Sequence, residues 1–281
     1  MAAEPALAPS RRPRPLQRPA LVDAHVHLHG CYDDAAFLDA ADTNMRRGAV
    51  SLGMEEEEPL GVLCFTECGG VNEFGRLASR VPYLTGQWRI EETSEPLSLV
   101  AHRGSTLRLA LIAGRQIVTS ERLEVSGLAL ADEIPDGLGL EKTVGAILKR
   151  GGIPVVPWGF GKWWHGRGER LRAFLGAWAG ERLFLGDNGG RPGFLGRPRE
   201  FELALRRGLW ILPGSDPLPT PSAVSKVGSY GFLLPDGIDP KRPAASLLAA
   251  LPRLASQPTV YGELESLARF VRSQVLMRLR K

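Results

Sequence analysis

One stretch constrains this chain more than any other: Leu21-Val22-Asp23-Ala24-His25-Val26-His27-Leu28-His29. Leu21, Val22, Ala24, Val26 and Leu28 give it the apolar content of a buried strand, and histidines stand at alternate positions. Side chains in a strand alternate between faces. The spacing therefore predicts His25, His27 and His29 on one face, with Asp23 in line below them. Three of the chain's five histidines fall within these five residues. Neutral imidazole is the commonest protein ligand for a transition metal, and two imidazoles two residues apart on a strand can reach one ion from the same side.

The rest of the sequence frames that strand. At 281 residues the chain is long enough for one large α/β domain. The formal charge of +4 is concentrated at the ends, in Arg11, Arg12, Arg14 and Arg18 and in Arg269, Arg272, Arg278, Arg280 and Lys281, so the body is near neutral. A nucleic-acid binder needs a basic face with stacking aromatics on the fold itself, and no such stripe is present. Cysteine is sparse and odd in number (Cys31, Cys64, Cys68), which argues against a disulfide framework. No apolar run approaches the ~18 residues of a membrane span, and the N-terminus lacks the apolar core of a signal peptide. The expectation is a cytoplasmic protein with no membrane or nucleic-acid partner, and with room for self-association through its basic C-terminal helix.

Residues 1–19 are rich in Ala, Pro and Arg and are expected to be a disordered tail, with 20–281 a single domain. Strands are expected near 21–28, 61–68, 153–158, 182–186 and 209–212. Helices are expected over 35–47, 72–80, 140–150, 170–179, 199–207, 244–250 and 263–278. Between 87 and 130 lie short strand-like runs without long helices, read as an inserted meander with a hairpin turn at Ala113-Gly114-Arg115. Strands alternating with helices imply a parallel sheet, and polar residues gather where those strands end.

Several motifs resemble those of the PHP superfamily (polymerase and histidinol phosphatase), a relative of the amidohydrolases. Asp23-Ala24-His25-Val26-His27 resembles its opening D-x-H-x-H motif. Thr66-Glu67-Cys68 stands where T-D-H is usual, and Arg122-Leu123-Glu124-Val125 resembles the strand that supplies a bridging glutamate. Gly214-Ser215-Asp216 resembles the start of the closing G-S-D-[AS]-H motif. The resemblance implies an α/β fold, a distorted (β/α)7-type TIM-like barrel carrying the inserted meander and C-terminal helices. It also implies one or two divalent ions (Zn, Mn or Fe) at the C-terminal strand ends, held by His25, His27, Glu67, Glu124 and Asp216. The reaction implied is metal-dependent hydrolysis, of phosphoesters first, in which the ion lowers the pKa of a bound water toward ~7. Three family imidazoles are missing: Cys68 and Trp158 stand in place of two, and the closing one is lost because Pro217 and Leu218 follow Asp216. The alternative expectation is therefore a protein of the same descent that binds a ligand or partner without chemistry.

Other residues carry two readings each. Asp216 ends an apolar strand and would either ligate the ion or take the proton from water. Glu67 could serve the site or satisfy backbone amides of the adjoining glycine turn. Cys68 could be a ligand or a small buried hydrophobe. The loop Gly161-Lys162-Trp163-Trp164-His165 could touch substrate, with Lys162 neutralising an anion and His165 exchanging a proton, or could pack its tryptophans on a neighbouring helix. Asn188 and Arg191 could bind a small anionic substrate, Arg191 through a bidentate fork, or could form a plain turn.

Overall fold

A computed structural model describes residues 18–271 apart from 181 and 269. Thirteen strands and six α-helices are formed among these residues. In chain order they are β1 (Ala20–Val26), α1 (Asp34–Ser51), β2 (Leu60–Phe65), α2 (Glu73–Ala78), β3 (Tyr83–Thr85), β4 (Trp88–Glu92), β5 (Ser98–Arg103), β6 (Thr106–Ile112), β7 (Gly114–Val118) and β8 (Glu124–Leu128). Then come α3 (Leu140–Lys149), β9 (Ile153–Pro157), α4 (Gly166–Ala177), β10 (Phe184–Asn188), α5 (Arg199–Arg206), β11 (Ile211–Gly214), β12 (Tyr230–Leu234), α6 (Pro243–Ala250) and β13 (Val260–Gly262). The tail at 1–17 and half of the helix expected over 263–278 (269 and 272–278) lie outside the described residues. No helix among the described residues is long and apolar enough to cross a membrane.

The strands form two mixed sheets, not the expected (β/α)7 barrel. The larger has eight strands in the order β13-β12-β1-β2-β6-β5-β4-β3, and the smaller five, β11-β10-β9-β8-β7. Parallel ladders join β1–β2–β6 and β9–β10–β11, and single parallel bridges link Glu67 with Arg115 and Pro192 with Glu265. Antiparallel strands flank both parallel cores, so each sheet has its own edges and neither closes. Short connections account for most of this: β3 to β6 and β7 to β8 return directly, without the crossover helix that parallel pairing needs, while β9 follows β8 through α3 and still pairs with it antiparallel.

The expected hairpin at Ala113-Gly114-Arg115 is also corrected. β6 and β7 belong to different sheets, and the chain passes between them at Ala113. Gly114 makes that passage possible. A Cβ there would lie 2.1 Å from the Phe65 carbonyl oxygen, so only a bare Cα fits.

The two sheets face each other. Ala20, Val22, Leu60, Val62, Ala110 and Ile112 of the larger sheet pack on Leu128, Val155, Phe184 and Leu212 of the smaller. Helices α1 and α2 cover the outer face of the larger sheet, through Phe37, Leu38, Phe74 and Leu77. Helices α3, α4 and α5 cover the outer face of the smaller, through Val144, Ile147, Leu171 and Phe201. Apolar burial on both faces explains why β2 and β9 are continuous apolar runs instead of alternating ones.

Candidate metal centre

At one end the two sheets touch, and the candidate centre forms there. The register of β1 against β2 shifts between Asp23 and Val26. Leu21 and Val26 consequently join the same core cluster although they are five residues apart. Strict alternation would separate them, so this irregularity reverses the facing of the strand. It is the reason Asp23 is not in line with the histidines. Asp23 is fully buried, and its carboxylate accepts three backbone amides, from His25 at 3.1 Å, Ser215 at 2.8 Å and Gly228 at 3.0 Å. Burial raises its carboxyl to about 7 despite those donors.

Beyond the irregularity His25 and His27 turn toward the end of β11. Gly214 closes β11, and a Cβ on it would lie 2.5 Å from His25 N and Cβ. Its absence lets the two strands meet. The next turn is fixed by the Asp216 amide, which donates to the His25 carbonyl at 2.9 Å. Asp216 itself adopts a left-handed backbone, φ 44°, a conformation that Asp tolerates better than most residues. Its carboxylate is thereby brought to the imidazoles.

Three ligand atoms converge. His25 Nε2 and His27 Nε2 are 3.1 Å apart. Asp216 Oδ1 lies 3.6 Å from the first and 3.4 Å from the second. Donors at 2.0–2.2 Å from one tetrahedral ion stand about 3.3–3.6 Å from each other. The group therefore has the donor set and the spacing to hold a metal ion. His27 is pushed down to about 3, by burial first and then by the neighbouring His25, with Asp216 opposing. It stays neutral at ordinary pH and keeps a lone pair to offer.

The structure brings Asn188 to this group by a different route from the one expected. At the end of β10, its Nδ2 donates to Asp216 Oδ2, and its Oδ1 accepts the Gly190 amide at 2.7 Å. This fixes the carboxylate with Oδ1 toward the imidazoles, a support role of the kind that orients ligands in metal sites. His29, beyond the end of β1, stacks on His27 at 5.3 Å and shares a hydrogen bond with the Pro217 carbonyl at 2.9 Å.

Other candidates lie elsewhere. Glu67 is buried; it accepts the Phe74 amide at 2.7 Å and pairs with Arg115 at 3.3 Å. Glu124, at the start of β8, is paired with Lys162. Arg191 is buried in a bidentate pair with Asp187 (2.7 and 2.8 Å) and donates its remaining arm to the Gly196 carbonyl at 2.7 Å. Tyr230 donates to the same Asp187 at 2.9 Å. Arg191 thus braces the loop after β10 from within. His165 is exposed, in a left-handed conformation (φ 55°) at the start of α4. The two tryptophans divide: Trp163 is buried edge-on against Phe201 of α5, and Trp164 is half exposed. Sequence reasoning missed the amide donors from Ser215 and Gly228 and the Asp187 partner of Arg191. Only the last had a signal, an acid four residues before an arginine. A cleft of about 810 Å³ opens beside the group; Ser215 and Gly189 line it, and none of the three ligand residues does.

No protein-family model and no curated protein matches the chain. Among solved structures it is similar to the crystal structure of PsfC from Pseudomonas syringae PB-5123, at 16% identity and a TM-score of 0.57, over 94% of this chain and 99% of that one. At that identity the likeness is one of fold.

Proposed function

We propose that the chain is a metal-dependent hydrolase of small anionic esters, phosphoesters before others. The observation that carries this reading is the convergence of His25, His27 and Asp216 at tetrahedral spacing where two sheets meet. A divalent ion held there (Zn, Mn or Fe) supplies Lewis acidity and lowers the pKa of water it binds. The two imidazoles contribute neutral donors, and Asn188 keeps Asp216 from rotating away. In this reading the second carboxylate oxygen of Asp216, which accepts from Asn188, would take up the proton of the attacking water. The order of the PHP-like motifs, from Asp23 to Asp216, supports the same chemistry.

The test is metal content of protein purified without chelator, followed by a phosphoesterase panel with Mn²⁺, Zn²⁺ or Fe²⁺ added. The double variant His25→Ala/His27→Ala should lose the ion and at least a hundredfold in turnover. Equal turnover in the double variant would remove the reading. A second reading, a ligand-binding protein without chemistry, is favoured by one observation. Glu67 and Arg191, two of the groups expected to serve a substrate or an ion, are committed to internal pairs.

A further inference from the structure

The two halves of the candidate centre come from strands of different sheets. Among the described residues no ladder joins β1 to β11, so strand pairing does not set the distance between His25 and Asp216. A metal site tolerates errors of only about 0.2 Å in its ligand distances. Something other than the sheet must hold the halves in register.

Hydrogen bonds on both sides of His25 do so. Its carbonyl accepts the Asp216 amide at 2.9 Å, and its amide donates to Asp23 Oδ1 at 3.1 Å. The same Oδ1 accepts the Ser215 amide at 2.8 Å. One oxygen thus joins the residue that carries the first imidazole to the residue that precedes the carboxylate. The other oxygen, Oδ2, accepts the Gly228 amide at 3.0 Å, two residues before β12, which lies beside β1 in the larger sheet. Asp23 is fully buried, and among the described residues no cationic side chain pairs with it. A carboxyl taken out of water without a counter-charge is costly. Packing alone would be served by an apolar residue, as at Val22 and Ala24 on either side.

We propose that Asp23 is the positioning residue of the metal centre: its Oδ1 joins the His25 and Ser215 amides and so holds the imidazole pair and the Asp216 carboxylate at ligand spacing before an ion arrives. This role rests on the metal reading above and deepens it. Asp23 acts through the backbone of two neighbours and not as a ligand. Side chains that orient ligands contribute about 10–100-fold in metal affinity. Asparagine can keep the bridge. Its single carbonyl oxygen satisfies two donors at the Oδ1 position and only one at the Oδ2 position, so the lost bond is the one to Gly228.

Zn²⁺ titration of the metal-free full-length chain by calorimetry, together with the visible spectrum of the Co²⁺-loaded chain, tests this. Asp23→Ala should bind Zn²⁺ at least tenfold more weakly than the wild type and should show an altered Co²⁺ spectrum. Asp23→Asn should stay within about threefold of the wild type, with the wild-type spectrum. Ile147→Ala, buried under α3, reports destabilisation alone and should keep both affinity and spectrum. A folded Asp23→Ala chain with wild-type affinity overturns the role and leaves the metal reading standing. So does an Asp23→Asn or Ile147→Ala chain that loses as much affinity as Asp23→Ala. No uptake by the wild type overturns both. If Asp23→Ala does not fold, amide hydrogen exchange of the metal-free wild type decides. The His25 and Ser215 amides should already be protected, and exchange that stays fast until Zn²⁺ is added overturns the role.

Discussion

His27 is a residue whose environment can be read out by titration. Its imidazole is held down to about 3, against an ordinary value of 6.5. Protonation is therefore easier in the unfolded chain than in the folded one. A depressed pKa of this kind contributes stability that is complete above about pH 6.5 and is lost as pH falls toward 3. Asp23 has the opposite sign. Its carboxyl is raised to about 7 from 3.8, so its contribution is complete below pH 3.8 and is lost as pH rises through 7. The two slopes oppose each other in mildly acid solution, and the total curve hides both. The difference between wild type and His27→Gln isolates the histidine. In metal-free protein that difference should rise with pH at up to about 1.4 kcal/mol per unit between pH 3 and 6.5, then level off. Urea unfolding of both proteins at a series of pH values measures it, and a difference that stays flat would refute the assignment.

Among the elements, the passage from β6 to β7 is the joint on which the architecture depends. Gly114→Ala places a methyl against the Phe65 backbone, which has no room to yield. The expected loss is more than about 3 kcal/mol in urea unfolding. Gly145, exposed in the middle of α3 with open space around it, should behave oppositely, gaining about 0.5–1 kcal/mol on change to Ala. A mild effect at Gly114 would show that the sheets can separate there. This joint also marks where sequence reading stopped. The runs from Leu60 to Phe65 and from Ile153 to Pro157 announce themselves as buried strands because both faces are apolar. Periodicity carries no information about which sheet a strand joins, so β6 and β7 read as a hairpin. The irregularity in β1 was equally silent, since a two-residue period assumes an unbroken pleat. β12 and β13 were not anticipated: Gly231 interrupts one, and the other spans three residues. In the site, His25, His27 and Asp216 were legible because histidines and a carboxylate at apolar strand ends need a reason. Arg191 was legible as a fork, but its partner proved to be Asp187 of its own loop.

At the scale of the whole molecule, the candidate centre draws on residues from opposite ends of the chain. His25 lies in the larger sheet and His27 just past the end of its β1, and Asp216 follows the last strand of the smaller one. An ion held by all three binds the folded state and has no equivalent seat in the unfolded chain. Free metal at one hundred times its Kd should therefore stabilise the protein by about 2.7 kcal/mol and raise the melting temperature in a concentration-dependent way. Scanning calorimetry with and without Zn²⁺ or Mn²⁺ measures this, and His25→Ala/His27→Ala should abolish the rise. An equal rise in the double variant would place the ion elsewhere. The Asp23 carboxylate adds a temporal consequence. It takes amides from Ser215 and Gly228, which are 192 and 205 positions further along. During synthesis the first strand leaves the ribosome long before either donor exists. A nascent chain thus carries its histidine pair without the carboxylate and without the amides that seat β1. Loading of the complete centre waits until Asp216 and Gly228 have been made, and a product cut short before Gly228 lacks the last of those amides whatever metal surrounds it.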